Sequence, residues 1–249
     1  MKYGKFAVLI LLLFLFACSG GKDTGNLSPE EHLKYAMSLY NDGDYEEAIK
    51  EFQSIILQYA GNPVNDDAQY YLGMSYYKQE QYLLAAYEFS KLIRDIPASP
   101  LVPNAQFMLA DSYYQLSPPY SLEQSYTKKA IDEFQAFIDY FPLDKRVEEA
   151  EKKIKELNEK LAQKEYNAGL IYERMEYYNA AIMYYERVFE TYHDSKFAPL
   201  ALYRKINLLI DKNRTAEALK DIATFLAKYP ESEYAGEVKK LQNKIVAAK

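Results

Sequence analysis

The chain has 249 residues, with 36 acidic against 30 basic side chains and a formal net charge of −6. That balance excludes the basic footprint that holds a phosphate backbone, and with it a nucleic-acid partner. Twenty-six tyrosines, no tryptophan, nine glycines and ten prolines point to long regular elements with sparse, placed breaks, in a chain long enough for one extended or two compact domains.

At the start of the chain, Lys2 and Lys5 flank an apolar run that extends unbroken from Phe6 to Ala17, twelve residues. A helix needs about 20 such residues to cross a ~30 Å hydrocarbon core, so this one is too short to span. A positive start, an apolar run and small residues around Cys18 have the layout of a cleavable secretory signal. An ordinary cleavage site wants small residues at both −3 and −1, whereas Leu15-Phe16-Ala17-Cys18 places a leucine first. That sequence resembles a bacterial lipobox. The resemblance implies that residues 1–17 are removed, that the Cys18 thiol is alkylated by a diacylglycerol, and that the new amino terminus is acylated. Two or more acyl chains anchor stably where one holds only marginally. The expected product is tethered to a membrane, and its one thiol is left with neither disulfide nor redox chemistry. Ser19, where Asp would retain a lipoprotein in the inner membrane, is similar to the sorting signal of enterobacterial lipoproteins bound for the outer membrane. Residues 18–27, glycine-rich and polar, read as a flexible lipidated tether.

The first helix is signalled by Ser28-Pro29-Glu30-Glu31: a capping serine, proline at the first helical position, and a glutamate placed to return the hydrogen bond. From there the chain repeats itself. Ala60 and Ala68, Pro97 and Ala105, Pro142 and Ala150, His193 and Ala201, Pro230 and Val238 are each eight residues apart. Proline cannot continue a helical ladder and marks three of these breaks. Upstream of each lies a ridge at i, i+4, i+7, as in Ala85-Phe89-Leu92 or Ala181-Tyr185-Val188. The helix before each ridge carries Ala36, Gly73, Ala110, Gly169 or Ile206. Small residue, aromatic, small residue twelve on, aromatic, proline: this order resembles the tetratricopeptide repeat. It implies an all-α tetratricopeptide-repeat solenoid of five helix pairs, with residues 231–247 as a C-terminal capping helix.

Two departures break the period. Ala110 to Ala130 spans twenty residues where the other repeats have twelve, which predicts a protruding loop around Leu116-Ser117-Pro118-Pro119-Tyr120-Ser121. Ala150 to Gly169 carries fourteen extra, helix-forming residues, so one helix of ~40 Å is predicted from about residue 145 to 173. It would divide the chain into an N-terminal unit of three repeats, 28–143, and a C-terminal unit, 144–249, of the long helix, two repeats and the cap. A lipobox, five such repeats, an insertion in the third and a long fourth-repeat helix with Leu161-Ala162-Gln163-Lys164-Glu165-Tyr166-Asn167-Ala168 resemble the BamD family, the lipoproteins of the outer-membrane β-barrel assembly machinery. The resemblance implies a non-enzymatic scaffold whose C-terminal repeats dock on the periplasmic domains of a BamA-like barrel-forming subunit. Its N-terminal repeats would receive unfolded outer-membrane protein precursors.

Catalysis finds little footing in the residues themselves. The two histidines, His32 and His193, fall at repeat positions, and no glycine-rich phosphate loop or zinc helix motif is present. The acidic turn Asn41-Asp42-Gly43-Asp44 lacks the later ligands of a calcium loop. No catalytic residue, metal or cofactor is therefore predicted. Binding has a candidate, because the first helices of tetratricopeptide pairs face a concave surface and corresponding positions recur every 37 residues. Leu33, Tyr70 and Phe107 form one row, Met37, Met74 and Asp111 a second, and Tyr40, Tyr77 and Tyr114 a third. Tyrosine offers apolar area with a hydroxyl, and methionine adapts to irregular partners. Such rows suit an extended apolar-aromatic peptide, yet repeat packing alone also generates rows, so groove and core both stay open. Two alternatives to barrel assembly stand: another repeat lipoprotein organising cell-envelope or polysaccharide machinery, and an enzyme of wall metabolism, for which no non-repeat domain remains.

Overall fold

Ser28 opens the first helix as its sequence dictates: its hydroxyl accepts from the Glu31 amide and its own amide donates to the Glu31 carboxylate at 3.1 Å. The computed structural model describes residues 24–247 and, among these, eleven α-helices and no strand. The helices are α1 (Pro29–Asp42), α2 (Tyr45–Gln58), α3 (Val64–Lys78), α4 (Tyr82–Asp95), α5 (Val102–Leu116), α6 (Ser125–Tyr140), α7 (Val147–Arg174), α8 (Tyr178–Thr191), α9 (Phe197–Asp211), α10 (Thr215–Lys228) and α11 (Ala235–Ala247). Each packs on the next in order, and α1 also meets α3 as α7 meets α9. Five helix pairs and a final helix, stacked one repeat on the next, make the predicted tetratricopeptide-repeat solenoid.

Repetition extends to the turns. The turn after α1 places Gly43 in the left-handed region (φ +84°), its amide closing the helix, and Asp44 then caps α2. The turns after α3, α7 and α9 place Glu80, Glu176 and Asn213 there instead. The acidic turn thus spends its residues on ending one helix and starting another.

Between the helices of each pair lies a fully buried large side chain from the second helix: Phe52, Phe89, Phe134, Tyr185 and Ile222. Each contributes about 2–3 kcal/mol by leaving water. The small residues of the first helices face them. A Cβ on Gly73 would lie 2.7 Å from the Phe89 ring, and one on Gly169 would lie 2.5 Å from the Tyr185 ring.

A polar clamp joins the paired helices of the first three repeats, and it too recurs every 37 residues on the first helix. His32 Nε2 lies 2.6 Å from Glu51 Oε2, Gln69 Nε2 donates to Glu88 Oε2 at 2.6 Å, and Gln106 Nε2 donates to Glu133 Oε2 at 2.8 Å. His32 is fully buried, edge-on to Tyr59. Burying the two glutamine amides is tolerated because each has its partner, whereas His32 bonds through Nε2 alone and leaves Nδ1 buried without one.

The long helix runs from Val147 to Arg174. Its N-terminal half, through Ala150 and Ile154, joins the cluster of Phe107, Phe134 and Phe137. Its C-terminal half, through Ala162 and Tyr166, joins the cluster of Ala181, Tyr185 and Val188. The insertion in the third repeat does not protrude as predicted. Lys160 Nζ donates to Ser117 Oγ at 2.7 Å and Lys164 Nζ to the Leu122 carbonyl at 2.6 Å. Gln124, buried, donates to the carbonyls of Pro119 and Leu122. The loop is drawn down because α7 supplies donors to carbonyls that no helix would satisfy.

Candidate functional site

The nine residues of the predicted rows lie on α1, α3 and α5, but not all of them reach solvent. Phe107 and Asp111 are buried, which corrects the expectation that they line an open groove. Phe107 is edge-on to Phe134 and Phe137, with ring centroids 5.6 and 5.3 Å away. The core claims it because the third repeat concentrates its aromatic rings there. Leu33, Met37, Tyr40, Tyr70, Met74, Tyr77 and Tyr114 remain partly accessible, and each leans on a core cluster. Tyr40 meets Tyr45 and Tyr71, Tyr70 meets Tyr71 and Phe89, and Tyr77 meets Tyr82, all as ring pairs within 5.7 Å. The rows are a corrugated aromatic face with one edge of each ring inward.

Asp111 is buried because it ties three helices together. The Tyr77 hydroxyl of α3 donates to its carboxylate, and Lys153 Nζ of α7 donates to its Oδ1 at 2.8 Å. Lys153 Nζ also sits 4.1 Å from the centre of the Tyr114 ring, whose hydroxyl donates to Glu156 Oε2 at 2.6 Å. Burial, reinforced by Asp111, pushes the Tyr77 phenol well above its ordinary range. The Glu156 carboxylate pushes that of Tyr114 up to about 12, and burial does the same for Tyr70. These hydroxyls therefore remain neutral donors at any physiological pH.

Arg146, just ahead of α7, closes the same region. Its guanidinium lies 5.0 Å from the Phe107 ring centre and 5.2 Å from that of Phe137, within cation–π range. It is held there by a fork onto Asp144, Nε to Oδ1 at 2.9 Å and Nη2 to Oδ2 at 2.7 Å. Bonding to Arg146 pulls the Asp144 carboxyl down from 3.8 to about 2. A depressed carboxyl stabilises the fold in full above its unfolded value and loses that contribution as pH falls toward the folded one. The stability gap between wild type and Asp144→Asn, measured by urea unfolding, is thus expected to shrink by about 1 kcal/mol between pH 5 and pH 2. A gap that stays constant over that range would remove the ion pair from the account.

Lys153 and Glu156 were hidden from the 37-residue spacing because the α7 insertion interrupts it. Their signal was the stripe Lys153, Glu156, Lys160, Lys164, one face of a helix by spacing. Among the described residues, no group of three His, Cys, Asp or Glu is placed to hold a metal, and no helix is long and apolar enough to cross a membrane. His193 is exposed in the turn after α8, its Nε2 3.4 Å from Asp194 Oδ2. Cys18 and most of the tether lie outside the described residues.

Residues 26–209 match the YfiO family of outer membrane lipoproteins. The chain belongs to that family. As a YfiO-type lipoprotein it is lipid-anchored at the periplasmic face of the outer membrane. It is similar along nearly its whole length to the outer membrane protein assembly factor BamD of Rickettsia prowazekii (strain Madrid E), 28% identical over 243 residues that cover 94% of this chain and 95% of that protein. Among solved structures, the TPR domain of P58(IPK) is 18% identical with a TM-score of 0.44, covering 87% of this chain and 54% of that one. A thermophilic TPR protein of Thermus thermophilus, TTC0263, is 17% identical with a TM-score of 0.37, covering 88% of this chain and 100% of that one.

Proposed function

We propose that this lipoprotein works in outer-membrane protein assembly, as a non-enzymatic scaffold anchored through lipid on Cys18. Its C-terminal repeats, from α7 onward, dock on a BamA-like barrel-forming subunit, and its N-terminal repeats, residues 28–143, receive unfolded outer-membrane protein precursors. The observation that carries the reading is family membership over residues 26–209, joined to similarity with an assembly factor across 94% of the chain. The face of α1, α3 and α5 supports the second half of it. Half-buried tyrosine and methionine edges, with their charges paired from behind, offer apolar contact and hydroxyl donors to an extended segment with aromatic side chains.

The test is capture of the tagged lipoprotein from envelope membranes in mild detergent, with mass spectrometry of what stays bound and Cys18→Ala as the mislocalised control. Recovery of a large barrel protein with periplasmic repeats, lost or reduced with Cys18→Ala, is the expected result. Recovery of wall or polysaccharide proteins alone would transfer the chain to a different envelope machinery.

A further inference from the structure

A cleft of about 610 Å³ opens where α6, α7 and the turn between α8 and α9 meet. The fourteen-residue extension of α7 separates the third and fourth repeats and leaves this notch between them. Its chemistry departs from the rest of the molecule as well. Six residues ahead of the alanine or valine that follows each break, the turn carries a polar side chain: Asn62, Ser99, Asp144, Ser195 and Ser232. Four of these accept the amide two residues on, at 2.9 to 3.3 Å. Ser195 does not: its hydroxyl is buried without a partner.

Glu159 of α7 has rewired this turn. Its Oε1 accepts the Lys196 amide at 2.9 Å, and its Oε2 is likewise buried without a partner. A carboxylate oxygen and a hydroxyl without partners, on two residues that line one cleft, cost stability, and nothing among the described residues relieves them. Glu159 and Ser195 both line the cleft, so a donor that enters it meets the two groups that carry these atoms. The walls beside it are Ile138, Ile154 and Tyr192, and the charges around it are Glu151, Glu159 and Asp194 against the one lysine Lys155.

We propose that this cleft receives an arginine side chain presented by a partner polypeptide. Its methylene stem lies along the isoleucines, its plane covers the Tyr192 ring, and its fork of donors serves Glu159 Oε2 and Ser195 Oγ together. Lysine, a point charge with a strongly held water shell, meets this arrangement less well than the planar guanidinium. The proposal is independent of which machinery the lipoprotein serves.

The test titrates the full-length lipoprotein in detergent with N-acetyl-arginine amide, following the amide resonances of Asn158, Glu159, Ser195 and Lys196. N-acetyl-citrulline amide serves as the uncharged isostere and spermidine as a small soluble cation. Saturable shifts with the arginine compound, at least tenfold weaker for the other two, are expected. Glu159→Gln keeps the oxygen that accepts the Lys196 amide and is expected to weaken binding at least tenfold. Ser195→Ala has no internal bond to lose and is expected to weaken binding severalfold without lowering the melting temperature. No saturable response at these four residues, an equal response to citrulline or spermidine, or undiminished binding by Glu159→Gln overturns the proposal.

Discussion

Alanine in place of Gly169 is expected to lower the melting temperature by about 4–8 °C. The added Cβ falls 2.5 Å from Cε1 and 2.8 Å from Cδ1 of Tyr185. That ring has no room to retreat: it is fully buried, and its hydroxyl is fixed on Glu173 Oε2 at 2.5 Å. Overpacking of this kind costs about 1–3 kcal/mol, against which a helical glycine-to-alanine change returns at most about 1. A net loss near 2 kcal/mol corresponds to the stated shift for a chain of this size. Solenoid repeats interact with their neighbours only, so amide exchange should rise in α7, α8 and α9 and stay near wild type in α1 to α4. Gly236→Ala, where a Cβ meets nothing, is the matched control and should not lower the melting temperature. Equal effects from the two substitutions would show that the approach of α7 to α8 does not depend on the missing side chain.

A second large effect is expected at Asp111. Removing its carboxylate by Asp111→Ala leaves Lys153, whose side chain is 17% exposed, without its main counter-charge, and takes from Tyr77 its acceptor. Breaking a buried pair from one side costs about 3 kcal/mol or more, because the remaining charge stays desolvated. Urea unfolding followed by circular dichroism measures this directly. The double variant Asp111→Ala with Lys153→Met should recover at least 1 kcal/mol, since it withdraws both charges and leaves an apolar stem over the Tyr114 ring. An additive double variant would show that Lys153 finds a new partner and that Asp111 acts through Tyr77 alone.

Much of the architecture was readable before any coordinate. Helix pairing followed from the spacing of Ala85, Phe89 and Leu92 and its counterparts, because a buried ridge must recur at helical intervals whatever its surroundings. The close approaches at Gly73 and Gly169 were marked by small residues opposite large ones. Burial of Phe107 was less legible: its place in a row with Leu33 and Tyr70 is the same for a core ring as for a groove ring. What decides between them is the crowd of Phe134, Phe137 and Arg146 around it, contributed by segments 27 to 39 residues away. The loop after α5 misled for a related reason. Its prolines and serines describe a chain with unsatisfied carbonyls, and the lysines that satisfy them sit more than forty residues on. Ser195 belonged to a legible row, but its missing bond depends on Glu159 arriving from another helix.

If the tyrosine face receives a segment as proposed, the pairing of Asp111 with Lys153, and of Asp144 with Arg146, has a kinetic meaning. Neighbouring opposite charges cancel each other's field within a few ångströms of the surface, so little of it extends outward to draw a charged segment from a distance. Arrival at this face is therefore governed by ordinary diffusion and by the fit of side chains on contact. Association rates there should change little with ionic strength, while the lifetime of a complex should depend on how many rings it covers.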